Sequence, residues 1–121
     1  MSGKIDLVFR AGGRFHVLDY KGNWLGERVA DYTGERLTAA MDHSQYRLQA
    51  LLYTLALDRY LRQRLGDAYA REQQLGECVY LFLRAAGLAP GAGVWRQRFA
   101  ADLIEYAQAA LAGAWLTEVA A

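Results

Sequence analysis

The sequence predicts an α/β domain: a small mixed sheet, built from a hairpin and a parallel third strand, with helices packed against it. Three observations carry this. Residues 4–21 hold two alternating apolar segments separated by a glycine pair. Residues 37–65 follow a long, largely apolar helical pattern, and residues 77–84 form a short continuous apolar run. A strand, a long helix and a strand in succession are joined most simply by a right-handed crossover, which sets the third strand parallel to the second.

Each element has its own signature. KIDLVFR, residues 4–10, alternates and is rich in branched and aromatic residues. Ile5, Leu7 and Phe9 then face one way, and Lys4, Asp6 and Val8 the other. AGGR is a turn signal, and RFHVLDYK, residues 14–21, is the returning strand. Its Val17, Asp19 and Lys21 share one face, with His16, Leu18 and Tyr20 on the other. That lets Tyr20 pack against the core while Asp19 and Lys21 converge at the strand's end. Residues 22–36 hold three glycines and mixed polarity and read as a loop. The helical segment over 37–65 is expected to break near Asp42–Ser44, where Asp or Ser would cap the second part, and Gly66 ends it. ECVYLFLR, residues 77–84, suits a buried strand. AAGLAPGAGV is a loop with the single proline, Pro90, and residues 99–112 return to helix.

Composition narrows the classes. With 121 residues, 54% hydrophobic and 22% charged, the chain is one domain over 1–121 with a modest core. A formal net charge of +1 provides no global basic field, so any nucleic-acid contact would be local. Cys78 stands alone, which excludes a disulfide framework and a cysteine metal cluster and points to a reducing compartment. MSGKIDLVF lacks a signal-peptide pattern, and no apolar run reaches the roughly 20 residues of a membrane helix. A cytoplasmic location is expected. The chain starts almost directly in a strand, as the edge of a larger protein would.

The chemistry concentrates in VLDYKGNW. The hairpin brings Asp6 into the region where Asp19 and Lys21 converge. Carboxylates this close repel unless a cation lies between them. Mg²⁺, which takes hard oxygen ligands, is the natural one, and a lysine beside it could stabilise charge on a phosphate. D-x-K is a common tripeptide, and taken alone it points first to a solvated ion pair at a hairpin rim.

The ordered set is more specific. IDLVF, LDYK-x-NWLG, LQALLYTLALDRYLR and VYLFLR, in this order, resemble the PD-(D/E)XK nuclease superfamily, and within it the RecB-type nuclease domains of bacterial helicase–nuclease complexes. The resemblance covers essentially the whole chain. It implies a restriction-endonuclease-like core, truncated here at its N-terminal side. It implies Asp6 and Asp19 as metal-ligating aspartates, Lys21 as the catalytic lysine, and the backbone carbonyl of Tyr20 as a further metal ligand. Gln49 and Tyr53 match the branch's Q-x-x-x-Y element; residues four apart on a helix lie about 40° apart and point the same way. Tyr60 continues that stripe.

The implied cofactor is Mg²⁺; no Walker A pattern is present, so ATP belongs to the helicase part of a parent subunit. The implied partners are DNA (linear duplex ends and unwound strands), the RecC and RecD subunits, and the RecA recombinase, in double-strand-break repair. Two departures stand out. Gly22 replaces the serine that usually follows the lysine. The family's histidine ligand lies upstream of the first strand, outside this sequence, and neither His16 nor His43 is placed to replace it. Weak Mg²⁺ binding and poor cleavage by the isolated chain are therefore expected. The alternative is a catalytically incomplete module of the same fold that docks RecA or RecC. Arg59, Arg62 and Arg64 read as a solvated face, Trp24 and Leu25 as a cover for the sheet edge, and Cys78 as buried packing.

Overall fold

A computed structural model describes residues 7–85 and 88–120, with the side chains of the last helix described as far as Gly113. The elements are β1 (Leu7–Ala11), β2 (Arg14–Lys21), a 3-10 turn (Val29–Tyr32), α1 (Gly34–His43) and α2 (Tyr46–Leu65). There follow α3 (Arg71–Gln74), β3 (Leu75–Phe82), β4 (Val94–Gln97) and α4 (Ala101–Ala120), with short 3-10 turns after α2 and β3. The sheet order is β1-β2-β3-β4. β1 and β2 form an antiparallel hairpin, β2 and β3 are parallel, and β4 returns antiparallel to β3. This is the mixed sheet with a helical crossover that the sequence predicts. The part of the first expected strand that precedes Leu7, with Asp6, lies outside the described residues.

Several details differ from expectation. β4 is an addition to the expected sheet: VWRQ is only four residues long, and its Val94 is the last residue of the expected loop. The stretch over 22–36 is not formless. The buried Tyr32 hydroxyl donates to the Gly26 carbonyl at 3.0 Å and accepts the Leu25 N–H at 3.1 Å. Asp31 accepts the Arg28 N–H at 3.0 Å and pairs with Arg36. The helix break falls where expected, yet neither Asp42 nor Ser44 caps α2. Ser44 ends α1, and Gln45 precedes α2 in the left-handed region at φ 57°.

The core lies on one face of the sheet. Val17, Cys78, Tyr80, Phe82 and Trp95 share it and pack beneath α2, through Ala50, Tyr53 and Leu57. Asp19 is on this face and 3% exposed, whereas Tyr20 is 42% exposed. The expected assignment is thus reversed: the Asp19–Lys21 face is the core face and the Tyr20 face is not. On that opposite face Leu18, Val79 and Leu81 are half-buried and Leu7 is exposed.

Candidate active site

β2 delivers Asp19 and Lys21 two residues apart on the covered face. Lys21 Nζ lies 2.8 Å from Asp19 Oδ2, and the two side chains are 16% and 4% exposed. Parallel pairing sets Tyr80 beside Asp19 and Phe82 beside Lys21. The Lys21 ammonium sits over the Tyr46 ring, 4.2 Å from its centroid, and 5.3 Å from that of Tyr80. Past the strand, Arg84 Nε donates to the Gly22 carbonyl at 2.7 Å, clamping the end of β2 to the end of β3. Gly22 itself is exposed, at the point where the family's serine would stand.

α2 closes the site from above. Gln49 is half-buried, and its Oε1 accepts the Tyr80 hydroxyl at 2.6 Å. One turn on, Tyr53 is buried in the same core cluster as Tyr80. Gln49 and Tyr53 therefore share the covered side of α2, above Tyr80, the residue beside Asp19. Tyr60 does not continue the stripe. Two turns further along the axis it is 56% exposed and lines an apolar groove of about 660 Å³ with Val8, Phe9 and Phe15.

Other candidates fall elsewhere. His16 is on the face opposite Asp19, where its Nδ1 accepts the Glu77 N–H at 2.9 Å. His43, Arg59, Arg62 and Arg64 are exposed. Trp24 is 63% exposed and covers little, while Leu25 packs against the core. Asp6 lies outside the described residues. Tyr46 and Tyr80 were missed by sequence reasoning. Tyr46 begins α2 just after the break, and Tyr80 is one aromatic in an apolar run; only the parallel register to Asp19 singles it out.

Burial keeps the thiol and the phenol beside Asp19 in their neutral forms. Burial, with the Asp19 charge adding to it, pushes the Cys78 thiol up to about 12, so it stays protonated. Burial, joined by Cys78 and Asp19, raises the Tyr80 phenol well above its ordinary range, so it remains a hydrogen-bond donor. Among the described residues, no three of His, Cys, Asp and Glu converge as a metal cluster. The donor available is the Asp19 carboxylate at the end of β2. Mg²⁺ is commonly held by one or two carboxylates and several waters, so this donor fits it.

A buried acid and lysine at the end of a central strand, in a mixed sheet under a crossover helix, are consistent with a nuclease of the class that the family match shows. Residues 1–120 match the PD-(D/E)XK nuclease superfamily, and the chain belongs to it. It is similar to the RecBCD enzyme subunit RecB of Escherichia coli (strain K12), with 47% identity over 119 residues that cover 98% of this chain and 10% of that protein. RecB of Haemophilus influenzae is 46% identical over 102 residues, 84% of this chain and 8% of that protein. RecB of Mycobacterium tuberculosis (strain ATCC 25618 / H37Rv) is 54% identical over 85 residues, 69% of this chain and 8% of its own length. The chain spans about a tenth of the length of these relatives. PD-(D/E)XK nucleases generally use divalent metal ions. Among the described residues, no helix is long and apolar enough to cross a membrane.

Proposed function

We propose that this chain is the nuclease part of a RecB-type helicase–nuclease subunit. In this reading it is a Mg²⁺-dependent deoxyribonuclease of the exodeoxyribonuclease V type. It acts on linear DNA ends and unwound strands in double-strand-break repair, with RecC and RecD as fellow subunits and RecA as the recombinase served. The observation that carries the reading is the burial of the Asp19–Lys21 pair, with the Tyr46 ring against the ammonium and the Tyr80 ring as its floor. A rim ion pair contributes about 0–1 kcal/mol and gains nothing from being covered. Taking both charges out of water costs several kcal/mol per ion, a cost that a pair at an exposed rim does not meet.

In this reading Asp19 and the Tyr20 carbonyl hold the metal. Asp6 is the second carboxylate, which requires the Leu7–Leu18 register to continue by one residue. Bound Mg²⁺ supplies Lewis-acid activation of water and neutralises phosphate charge. Lys21 gives one of its three N–H donors to Asp19 and offers the others to the phosphate oxygen on which charge develops. Gln49, whose carbonyl is occupied by Tyr80, presents its NH₂ as a donor to a neighbouring phosphate. Tyr53, one turn along, braces that layer and supplies a phenol to the same phosphate path.

The test is Lys21→Ala in the full-length subunit assembled with its partners. Cleavage of linear DNA is expected to fall by roughly 10²–10³-fold, the usual loss on removing a donor to developing charge, with unwinding unchanged. Near-normal cleavage would overturn the assignment.

A further inference from the structure

We infer that Tyr46 is a positioning residue for Lys21: its ring face holds the ammonium so that the remaining N–H donors point out of the site toward phosphate. The inference deepens the nuclease reading and rests on Lys21 being the catalytic lysine. Lysine is a point charge on a flexible four-carbon stem, so one salt bridge fixes its distance from Asp19 and leaves its direction open. The structure supplies the missing constraint. Nζ is 2.8 Å from Asp19 Oδ2 on one flank and 4.2 Å from the centre of the Tyr46 ring on another. The Tyr80 ring, 5.3 Å away, forms the floor. A cation over an aromatic face is attracted by the ring quadrupole, most strongly where water is excluded, and the Lys21 side chain is only 16% exposed.

Tyr46 is itself held. Its ring lies 5.6 Å from that of Tyr80 and 6.4 Å from that of Phe82, tilted against both. Its hydroxyl donates to Asn23 Oδ1 at 3.1 Å, tying α2 to the segment that follows Lys21. It is also the first residue of α2, directly after Gln45, the non-glycine residue with left-handed φ among those described. A residue held there is strained, and such strain gathers where a side chain must be aimed. Of the two tyrosines, Tyr46 is the nearer to the ammonium and stands at the mouth of the site, whereas Tyr80 is fully buried and engaged with Gln49.

The role belongs to the ring, not the hydroxyl, which gives a discriminating test. In the full-length subunit with its partners, Tyr46→Leu should lower kcat for linear-DNA cleavage about tenfold with KM unchanged, in line with a desolvated cation–aromatic contact. Tyr46→Phe should keep kcat within about twofold, because the ring face is retained. A second readout needs no catalysis. In the NMR spectrum of this 121-residue chain, the Lys21 ε-methylene protons should be displaced upfield by the ring. The displacement should persist in Tyr46→Phe and shrink in Tyr46→Leu, where only the more distant Tyr80 ring remains. An undisplaced Lys21 signal in the parent chain, or equal loss of kcat in the Phe and Leu variants, overturns the role of Tyr46 and leaves Lys21 untouched. Near-normal cleavage by Lys21→Ala removes the nuclease reading of that lysine and this role with it.

Discussion

Gly76 carries no side chain because its neighbours leave no room for one. A Cβ there would lie 2.3 Å from His16 Nδ1 and 2.7 Å from the Phe15 carbonyl oxygen. The space is taken by the imidazole, which accepts the Glu77 N–H at 2.9 Å and, protonated on Nε2, donates to the Ala11 carbonyl at 3.2 Å. The ring thereby pins the register irregularity between Phe15 and Val17. Gly76→Ala must displace a backbone oxygen as well as the ring, and is expected to cost about 2–3 kcal/mol, read as a lower urea midpoint. An unchanged midpoint would show that the bulge relaxes freely. Residues of this kind also mark what strand alternation can reveal. It placed Asp19 and Lys21 on one face, as the structure does. It put the core on the wrong side because Val17 and Leu18 are equally apolar, and only the side on which α2 packs decides between them.

At the scale of elements, Asp58 joins three helices. Buried on α2, it takes two hydrogen bonds from Arg71 of α3, at 2.8 and 2.9 Å. It takes another from the Tyr69 hydroxyl at 2.6 Å, and one from Gln108 of α4 at 3.0 Å. Burial alone would raise its pKa, but the bonds from Arg71, Tyr69 and Gln108 outweigh this and hold it below its ordinary 3.8. A depressed carboxylate contributes stability that is fully present above its unfolded value and lost as pH falls through its folded one. Acid titration should therefore loosen the α2–α3–α4 junction only below about pH 4. Asp58→Ala, which strands Arg71, should cost about 3 kcal/mol at neutral pH and flatten that acid limb. A variant with the parent's denaturant midpoint and acid profile would show the junction to be incidental. The sequence made the 37–65 helix legible through its apolar period and its break, but hid this hub. Asp58 reads there as one charge on an amphipathic face, and its partners lie 11, 13 and 50 residues away. β4 was hidden for a related reason: a four-residue strand has too few alternations to declare itself, and β3 specifies it by pairing.

For the molecule as a whole, the crossover rule carried the reading furthest. Strand, long helix and strand point to the parallel β2–β3 pair as the simplest connection, and that is the pairing observed, set by topology rather than by any one residue. β2 and β3 are each paired on both edges and covered by α2, while β1 and β4 end the described sheet. Amides of β2 and β3 are expected to exchange most slowly with solvent, near the global opening limit, and those of β1 and β4 sooner. Equal or greater protection in β1 would contradict the topology described.

The parallel pairing also bears on the order in which the site is expected to assemble during folding. His16 and Glu77, bonded across β2 and β3, are 61 residues apart in the chain. Asp19 and Lys21 are neighbours from the start, yet the Tyr80 floor beside them arrives only after that long loop closes. Closure has to be completed before the contact can reward it, so a mixed topology of this kind folds more slowly than a helical bundle of its size. A growing polypeptide that has emerged only as far as α2 holds its acid and lysine without the strand that sets them. Completion of β3 is thus the step at which the candidate site comes into being, and stopped-flow refolding should show the Lys21 environment forming with the last major phase, not the first.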